Sequence, residues 1–484
     1  MRYIFNNFLN TLKRYKVSSL LNIIGMAVAF AAFYVIMTQV CFNLGYNKSL
    51  KDADRTFVLS VPSQYNEGKF SIFINRPLGE ALVSGSSMSE GGGVFSMYPL
   101  GEVCYTRRND APVKMNLNLN QYSAGGLRAL NFEAVEGSLD ELSKPATVAI
   151  SESSAKKYEL KIGDSISWSD PQGEKGAREI VLIYKDFPKN SDLSTVNAVY
   201  DMNDHCIDDR SEWSFPYCVK LQNASQKEEF EKGTKATLLD YFKKLYDGAG
   251  ETLTDEDIDE INNRFNVKLI PLSELFYTKE LDGKPGNTGN LTTDMTLLAV
   301  AVLIILIALI NFVNFFFALV PARLRSVNTY KIFGVSRTSL IFNFIFESVG
   351  LVAIALALAA IIVILLLRTS IAGILTSSAV FGDNVPVLAM TVGAAVLTAV
   401  LGSIYPAFYI TSFQPALVLK GSFSGSVSGR RLRTALIGFQ FVISMSLIIS
   451  AMFIKMQHTY MMNYDMGFNK SCLLSGHIPY DVCW

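Results

Sequence analysis

No Gly-x-x-x-x-Gly-Lys-Ser/Thr stretch occurs in this chain, so it carries no phosphate-binding loop of its own, and any ATP must be handled by another chain. Histidine is nearly absent. His205, His458 and His477 are scattered without ligand spacing, and there is no His-Glu-x-x-His. With no nucleophile, base and acid in a recognisable constellation, neither catalysis nor a resident metal or cofactor is expected of this chain. The acidic run 255–260 behind Thr254 lacks the glycine of a calcium loop and reads as the first turn of a helix, where acids suit the dipole. The 6 cysteines are too few for a disulfide framework. Cys206 and Cys218 are near enough in sequence to pair, and two unpaired buried thiols explain them equally well. Charge is scarce too, at 18% of residues, against about 25% in soluble domains.

Apolar residues supply what charge does not. They make up 50% of the 484 residues and are gathered into runs. A bilayer span takes about 20 apolar residues as helix. Residues 19–42, 294–320, 348–367, 387–410 and 435–454 meet or approach that length. The first run has a basic front but is long, and its small residues fall mid-run, so it reads as an uncleaved anchor rather than a signal peptide.

The totals of 43 basic and 43 acidic residues balance, and no nucleic-acid partner is expected. Their distribution is more informative. The arm 1–18 carries Arg2, Lys13, Arg14 and Lys16 with no acid. The connection 321–347 carries Arg323, Arg325, Lys331 and Arg337 before its first acid, Glu347. The connection 411–434 carries Lys420, Arg430, Arg431 and Arg433, again with no acid. Such loops stay on the cytoplasmic side, and with five spans all three fall on one side. Residues 43–293, the loop 368–386 and the stretch 455–484 are then outside.

The outer stretch 43–293 is long enough for its own core. Residues 55–61, 70–74, 103–106 and 113–119 alternate as half-buried strands do, and 147–150 runs into a serine-capped helix. Strands are also predicted at 179–184 and 215–221, and helices at 226–245 and 254–265. Gly91-Gly92-Gly93 and 282–290 read as turn-rich breaks. The fold class is an α-helical membrane protein, with five predicted transmembrane helices and an inserted α+β outer domain split into two lobes. Residues 430–474 echo the N-terminal order of basic arm, span and polar stretch, with a strand predicted within 461–474.

Inside the spans, Asn311 and Asn314 share a helix face, and Gly25/Ala29 and Ala353/Ala357 are pairs of small residues that permit close helix approach. Packing within the chain and between copies explain these equally. Residues 322–346 have a basic front, a helix-breaking Gly334 and an amphipathic continuation. A short helix along the membrane surface would present Arg325, Lys331 and Phe333 to a partner; a solvated, orientation-setting loop explains the same residues.

These segments together resemble the MacB/FtsX-type ABC permease family. The resemblance rests on Ile310-Asn311-Phe312-Val313-Asn314 followed by Arg323 and Lys331-Ile332-Phe333-Gly334, and on Tyr405-Pro406-Ala407-Phe408-Tyr409 with Phe413-Gln414-Pro415. It also rests on Asp465-Met466-Gly467-Phe468-Asn469-Lys470, and in the outer domain on Val135-Glu136-Gly137 and Val148-Ala149-Ile150-Ser151-Glu152. It implies a bacterial inner-membrane permease with a two-lobed periplasmic domain. Its coupling region, Arg323, Arg325, Lys331, Phe333, Gly334 and Arg337, would seat an ATP-binding subunit holding ATP and Mg. It further implies a homodimer or pseudo-dimer of permease halves in contact with membrane lipids, and room for a periplasmic adaptor. Work would pass through the spans as motion, for export or for mechanotransmission. Antimicrobial peptides, macrolides, lipoproteins and activation of wall hydrolases all stay open as substrates or tasks.

Where family members often carry Glu and Gly, this chain has Ser326 and Asn328. It ends at Trp484, inside what would be a second outer domain, as a fragment, a truncated product or one half of a split permease would. The alternatives are a membrane-anchored sensor, which would need a cytoplasmic signalling domain, and an outer-domain hydrolase, which would need a site that the sequence does not display.

Overall fold

The computed structural model describes residues 16–96, 100–108, 111–168, 176–202, 205–282, 287–369, 373, 375–413, 427–465 and 467. Most of the basic arm, the linker around Lys420 and the end of the chain from Phe468 lie outside the described residues. The chain divides into a helical unit, up to Leu44 and from Thr292 onward, and an inserted unit, Gly45–Leu291.

The first helix, α1 (Lys16–Leu44), is apolar throughout. It leads into the inserted unit, whose first lobe takes strands from both ends of the insertion. β1 (Thr56–Pro62) is central, with β13 (Lys268–Pro271) on one side and β12 (Phe215–Leu221) on the other. β4 (Ser89–Val94) pairs with β12, while the short β2 (Phe70–Ser71) and β3 (Phe73–Ile74) pair with β1 and β12 respectively. Successive side chains of a strand point to opposite faces. Phe57, Leu59 and Val61 accordingly join one apolar cluster with Leu78 and Leu82 of α2 (Arg76–Ser84) and Phe230 and Leu238 of α5 (Lys227–Ala249), while Val58 joins another. The predicted cap at Thr254 is present: Thr254 and Asp257 form a reciprocal capping box at the start of α6 (Asp255–Arg264).

The second lobe is built from the middle of the insertion. It contains β5 (Leu100–Arg108), β6 (Ala111–Tyr122), β7 (Ala134–Gly137), β8 (Thr147–Ser151), β9 (Ser165–Trp168), β10 (Arg178–Tyr184) and β11 (Ala198–Asp201). Their order is β7-β10-β8-β11-β6-β5-β9, and β9 also pairs with β10, closing the sheet on itself. Met115, Leu117 and Leu119 of β6 point into an apolar cluster with Cys104, Val148, Ile150, Ile166 and Ile180. The short helices α3 (Ala124–Ala129) and α4 (Glu152–Tyr158) are each serine-capped, by Ser123 and Ser151. Two lobes, one inserted into the other, are what the sequence pattern predicts.

The glycine run departs from its sequence reading. Gly91–Gly93 lie in β4, not in a break, because this strand runs where no side chain fits. A Cβ on Gly92 would sit 2.3 Å from the Cys218 carbonyl oxygen, and one on Gly93 would sit 2.1 Å from Ser123 Oγ. Cys206 and Cys218 do not pair. Both thiols are free, with Cys218 buried and Cys206 half-buried.

A charged cluster fastens the start of β1 to β12. Asp52 accepts from Arg55 Nε at 3.0 Å and meets Lys220 Nζ at 2.5 Å, and Arg55 reaches Glu90 at 2.6 Å. Hydrogen bonds from Arg55 and then Lys220 lower the Asp52 pKa to about 2. Its unfolded value is about 3.9. A depressed carboxylate contributes stability that is present above its unfolded pKa and lost as pH falls through its folded one. The stability advantage of wild type over Asp52→Asn should therefore be full at pH 5 and shrink from pH 4 to pH 2, as denaturant titrations at stepped pH would show.

After the insertion, α7 (Leu291–Ile332) runs without interruption for 42 residues. α8 (Arg337–Leu367), α9 (Val385–Ser412) and α10 (Val427–Asn463) follow. Among the described residues, five helices are long and apolar enough to cross a membrane. In the helical unit, Phe30, Phe312, Phe316, Leu351, Ala355 and Ala399 share one apolar cluster. Gly402 lets α9 approach α7: a Cβ there would lie 2.5 Å from the Phe312 ring. None of the described side chains of α10 is buried. Met461–Asn463 belong to α10 rather than to the start of a strand.

Candidate functional site

The proposed coupling region is neither a loop nor a separate surface helix. α7 continues past its apolar run to Ile332 although Pro321, which has no backbone N–H to donate, lies within it. There the helix stops in a Schellman turn: Val335 N–H donates to the Tyr330 carbonyl at 3.1 Å and Gly334 N–H to Lys331 at 3.0 Å. Gly334 takes φ +84°, a left-handed conformation that glycine adopts without strain. Two residues later Ser336 caps α8, accepting from Ser339 N–H at 3.3 Å. The result is a tight elbow.

The side chains around the elbow divide into inward and outward sets. Arg323 and Glu347 form a bidentate pair between α7 and α8, at 2.8 and 2.6 Å. They are only 11% and 12% exposed. The guanidinium also lies over the rings of Phe316 and Phe344, at 5.6 and 5.5 Å. Arg323 is thus turned inward to the carboxylate of Glu347, the first acid of the connection 321–347. Lys331 is also engaged within the chain. Its Nζ donates to the Thr411 and Phe413 carbonyls at 2.5 and 3.0 Å, satisfying the C-terminus of α9. Arg337 Nε reaches Thr411 Oγ1 at 3.3 Å, and its guanidinium covers Phe408 at 5.5 Å. Phe333 stands out, 80% exposed beside Ile332 at 57%, and Arg337 is exposed as well. Arg325 lies on α7, but its side chain is outside the described residues.

The packing residues also sort themselves. Gly25 faces Asn311, whose Nδ2 would lie 3.2 Å from an added Cβ, and Ala29 is half-buried. Asn314 is half-buried with a shielded, unbonded Oδ1. Ala353 and Ala357 are exposed, while Ser348, Val352, Ala355 and Ala359 carry the packed face of α8. Phe317 packs at a tilt against the rings of Tyr405 and Tyr409, at 5.6 and 5.9 Å, which gives the Tyr-Pro-Ala-Phe-Tyr stretch a packing role.

A second constellation, in the inserted unit, was not read from the sequence. The segment that enters this unit, Gly45–Asn47, and the segment that leaves it, around Asn287, converge on the buried Asp192. Asn47 donates from Nδ2 to Asp192 Oδ2 at 2.8 Å, and accepts from Asp192 N–H at 2.9 Å. Tyr46 OH and the Asn287 N–H both reach Asp192 Oδ1 at 3.3 Å, and Asn287 Nδ2 donates to Tyr46 OH at 2.9 Å. Burial, followed by the Asp192 carboxylate, pushes the Tyr46 phenol up to about 12, so it stays a donor at ordinary pH. Tyr46 also stacks on Phe276 at 4.1 Å. The one signal in the sequence was the echo between Gly45-Tyr46-Asn47-Lys48 and Gly467-Phe468-Asn469-Lys470, which marks an aromatic-Asn pair but not its aspartate.

Comparison with known proteins bears on this geometry. Residues 298–415 match the family model "FtsX-like permease C-terminal", a stretch that takes in most of α7, the elbow, α8 and α9. No curated protein matches the chain at a significant level. Among solved structures, a permease-protein domain from Porphyromonas gingivalis is 15% identical, covering 51% of this chain and 99% of its own, with a TM-score of 0.36. The extracellular domain of the ABC-type transporter YknZ, from Gram-positive bacteria, is 12% identical, covering 44% and 99%, with a TM-score of 0.27. Residues 298–415 thus match an FtsX-like permease C-terminal domain, which lies on α7, α8 and α9 and on the elbow between the first two.

Proposed function

We propose that this chain is the non-catalytic membrane subunit through which a separate ATP-binding subunit drives conformational change in the inserted domain. The observation that carries this reading is the unbroken α7. At 1.5 Å per residue its 42 residues span about 63 Å, roughly twice the apolar thickness of a bilayer. One end begins where the inserted unit ends, and the other is the elbow. A continuous helix transmits displacement along its axis, and Pro321 is the place where this one can bend. The Arg323–Glu347 pair and the Lys331 and Arg337 contacts tie that end of α7 to α8 and α9, so a push on the elbow moves three helices together. On the other side, the bonds to Asp192 hold the incoming and outgoing segments of the inserted unit as one base. The basic connections, in which Glu347 at the end of 321–347 is the one acid, favour the elbow on the cytoplasmic side and the inserted domain outside. Export and mechanotransmission both use this transmission, and the exposed Ala353/Ala357 face of α8 suits a second permease half.

Phe333 and Ile332 are the contact we assign to the ATP-binding partner, with Lys331, Arg323 and Arg337 as positioning residues and Gly334 as the turn. Central aromatic anchors are worth about 2 kcal/mol or more in such interfaces, roughly thirtyfold in affinity. Affinity purification from native membranes should recover an ATP-binding-cassette subunit in near-equal amount. Phe333→Asp should reduce that recovery by about the same factor while leaving thermal unfolding of the chain unchanged, since the ring touches little of its own protein. Recovery of a kinase in place of an ATPase would favour a sensor.

A further inference from the structure

Two contacts set how α1 and α7 run past each other. Beside the borders of the inserted unit, Asn43 Nδ2 donates to Asp294 Oδ1 at 2.7 Å, and Gln39 Nε2 donates to Asn43 Oδ1 at 2.8 Å. Further along, a Cβ added to Gly25 would lie 3.2 Å from Asn311 Nδ2. Between these contacts α1 runs back from 43 to 25 while α7 runs forward from 294 to 311, so the helices are antiparallel and keep step. One turn beyond, the same register sets Asn22 level with Asn314. Residues 22, 25 and 29 share one face of α1, as 311 and 314 share one face of α7.

Asn22 is only 4% exposed. Its Nδ2 and Oδ1, and the Oδ1 of Asn314, are shielded from water and have no hydrogen-bond partner among the described residues. One helix thus holds an unused donor at the level where the other holds an unused acceptor. Leaving such groups unmade is costly, and no water enters to relieve them. The helix pair is bonded at its Asn43–Asp294 end and unbonded at the level of Asn22. Pro321, where α7 can bend, lies about two turns beyond Asn314, towards the elbow.

We propose that α1 and α7 have a second packing, in which Asn22 Nδ2 donates to Asn314 Oδ1, and that displacement of the elbow exchanges the two packings. This rests on the permease reading and makes its transmission two-state. Packed helices switch between discrete settings rather than deform smoothly. In the described setting both amides are stranded, and in the other the bond between them offsets the cost of moving α7.

Two measurements on the full chain in lipid nanodiscs test this. The first is denaturant unfolding without any partner. Asn22→Leu and Asn314→Leu each replace a stranded amide by an apolar group of similar size, and their midpoints should lie above that of wild type. Midpoints below wild type in both would show that the amides are already satisfied at rest, and would overturn the proposal. The second adds the ATP-binding subunit and compares deuterium uptake at 45–47 between a non-hydrolysable ATP analogue and ADP. Each single variant should shrink the nucleotide-dependent change in exchange rate about tenfold, which is about 1.4 kcal/mol. The double variant should shrink it no further, since either change removes the same bond. A wild-type response kept by the single variants, or losses that add in the double variant, would overturn this inference alone. No nucleotide-dependent change in wild type at any segment would overturn the permease reading and this inference with it.

Discussion

Replacing Glu347 with alanine should destabilise the helical unit by about 3–5 kcal/mol, the cost of stranding one member of a buried ion pair. Arg323 is 11% exposed and its guanidinium is held between Phe316 and Phe344, so it has little water to turn to once the carboxylate is gone. Arg323→Met combined with Glu347→Leu removes the stranded charge along with its partner. That double variant should recover most of the loss, since hydrophobic replacement of a buried pair is often neutral. Denaturant unfolding in nanodiscs of wild type, Arg323→Met, Glu347→Leu and the double variant forms the cycle that isolates the coupling. If the double variant is no more stable than Glu347→Ala, the pair does not hold α7 to α8. Transmission should fail differently: the double variant, though stable, is expected to lose the directional tie and show weaker partner-dependent change in the inserted domain.

Gly93→Val is expected to cost about 3 kcal/mol or more and to cost it in the inserted unit alone. Overpacking usually costs 1–3 kcal/mol when side chains can yield. At Gly93 one neighbour is backbone: an added Cβ would lie 2.6 Å from Gly126 N as well as 2.1 Å from Ser123 Oγ. Ser123 cannot turn away freely, because its Oγ accepts from Val94 N–H at 2.9 Å and from Gly126 N–H at 3.3 Å, capping α3. β4 must therefore leave either β12 or α3. Hydrogen exchange resolved by segment would show lost protection in 89–94 and 123–129, with α7 and α8 unaffected. A variant as stable as wild type would mean that the close approach of β4 to α3 is not needed.

The same glycines show where sequence reasoning stops. Apolar length alone reveals the spans, and period-two alternation reveals β1, β5 and β6, because both signals are local. Gly91–Gly93 give the local signal of a turn; only the partner backbone at Cys218 and Gly126 makes them a strand. The elbow was legible in part for the same reason. Gly334 favours a helix end and Pro321 offers an earlier place to break, yet α7 runs through Pro321 and stops only at the elbow, so no separate surface helix forms. Basic residues read as partner contacts. The carbonyls of α9 that occupy Lys331, and the carboxylate that occupies Arg323, are distant in sequence and could not be seen. Asp192 was missed likewise, since its partners lie 145 and 95 residues away.

Deuterium uptake across the purified complex of permease and ATP-binding subunit, compared between a non-hydrolysable ATP analogue and ADP, tests the central claim most directly. Transmission through α7 predicts that uptake changes at the elbow, 330–337, and also at the base of the inserted domain, at 45–47 and 287–290 around Asp192. A change confined to the elbow, with identical uptake throughout the inserted domain in both nucleotide states, would contradict it.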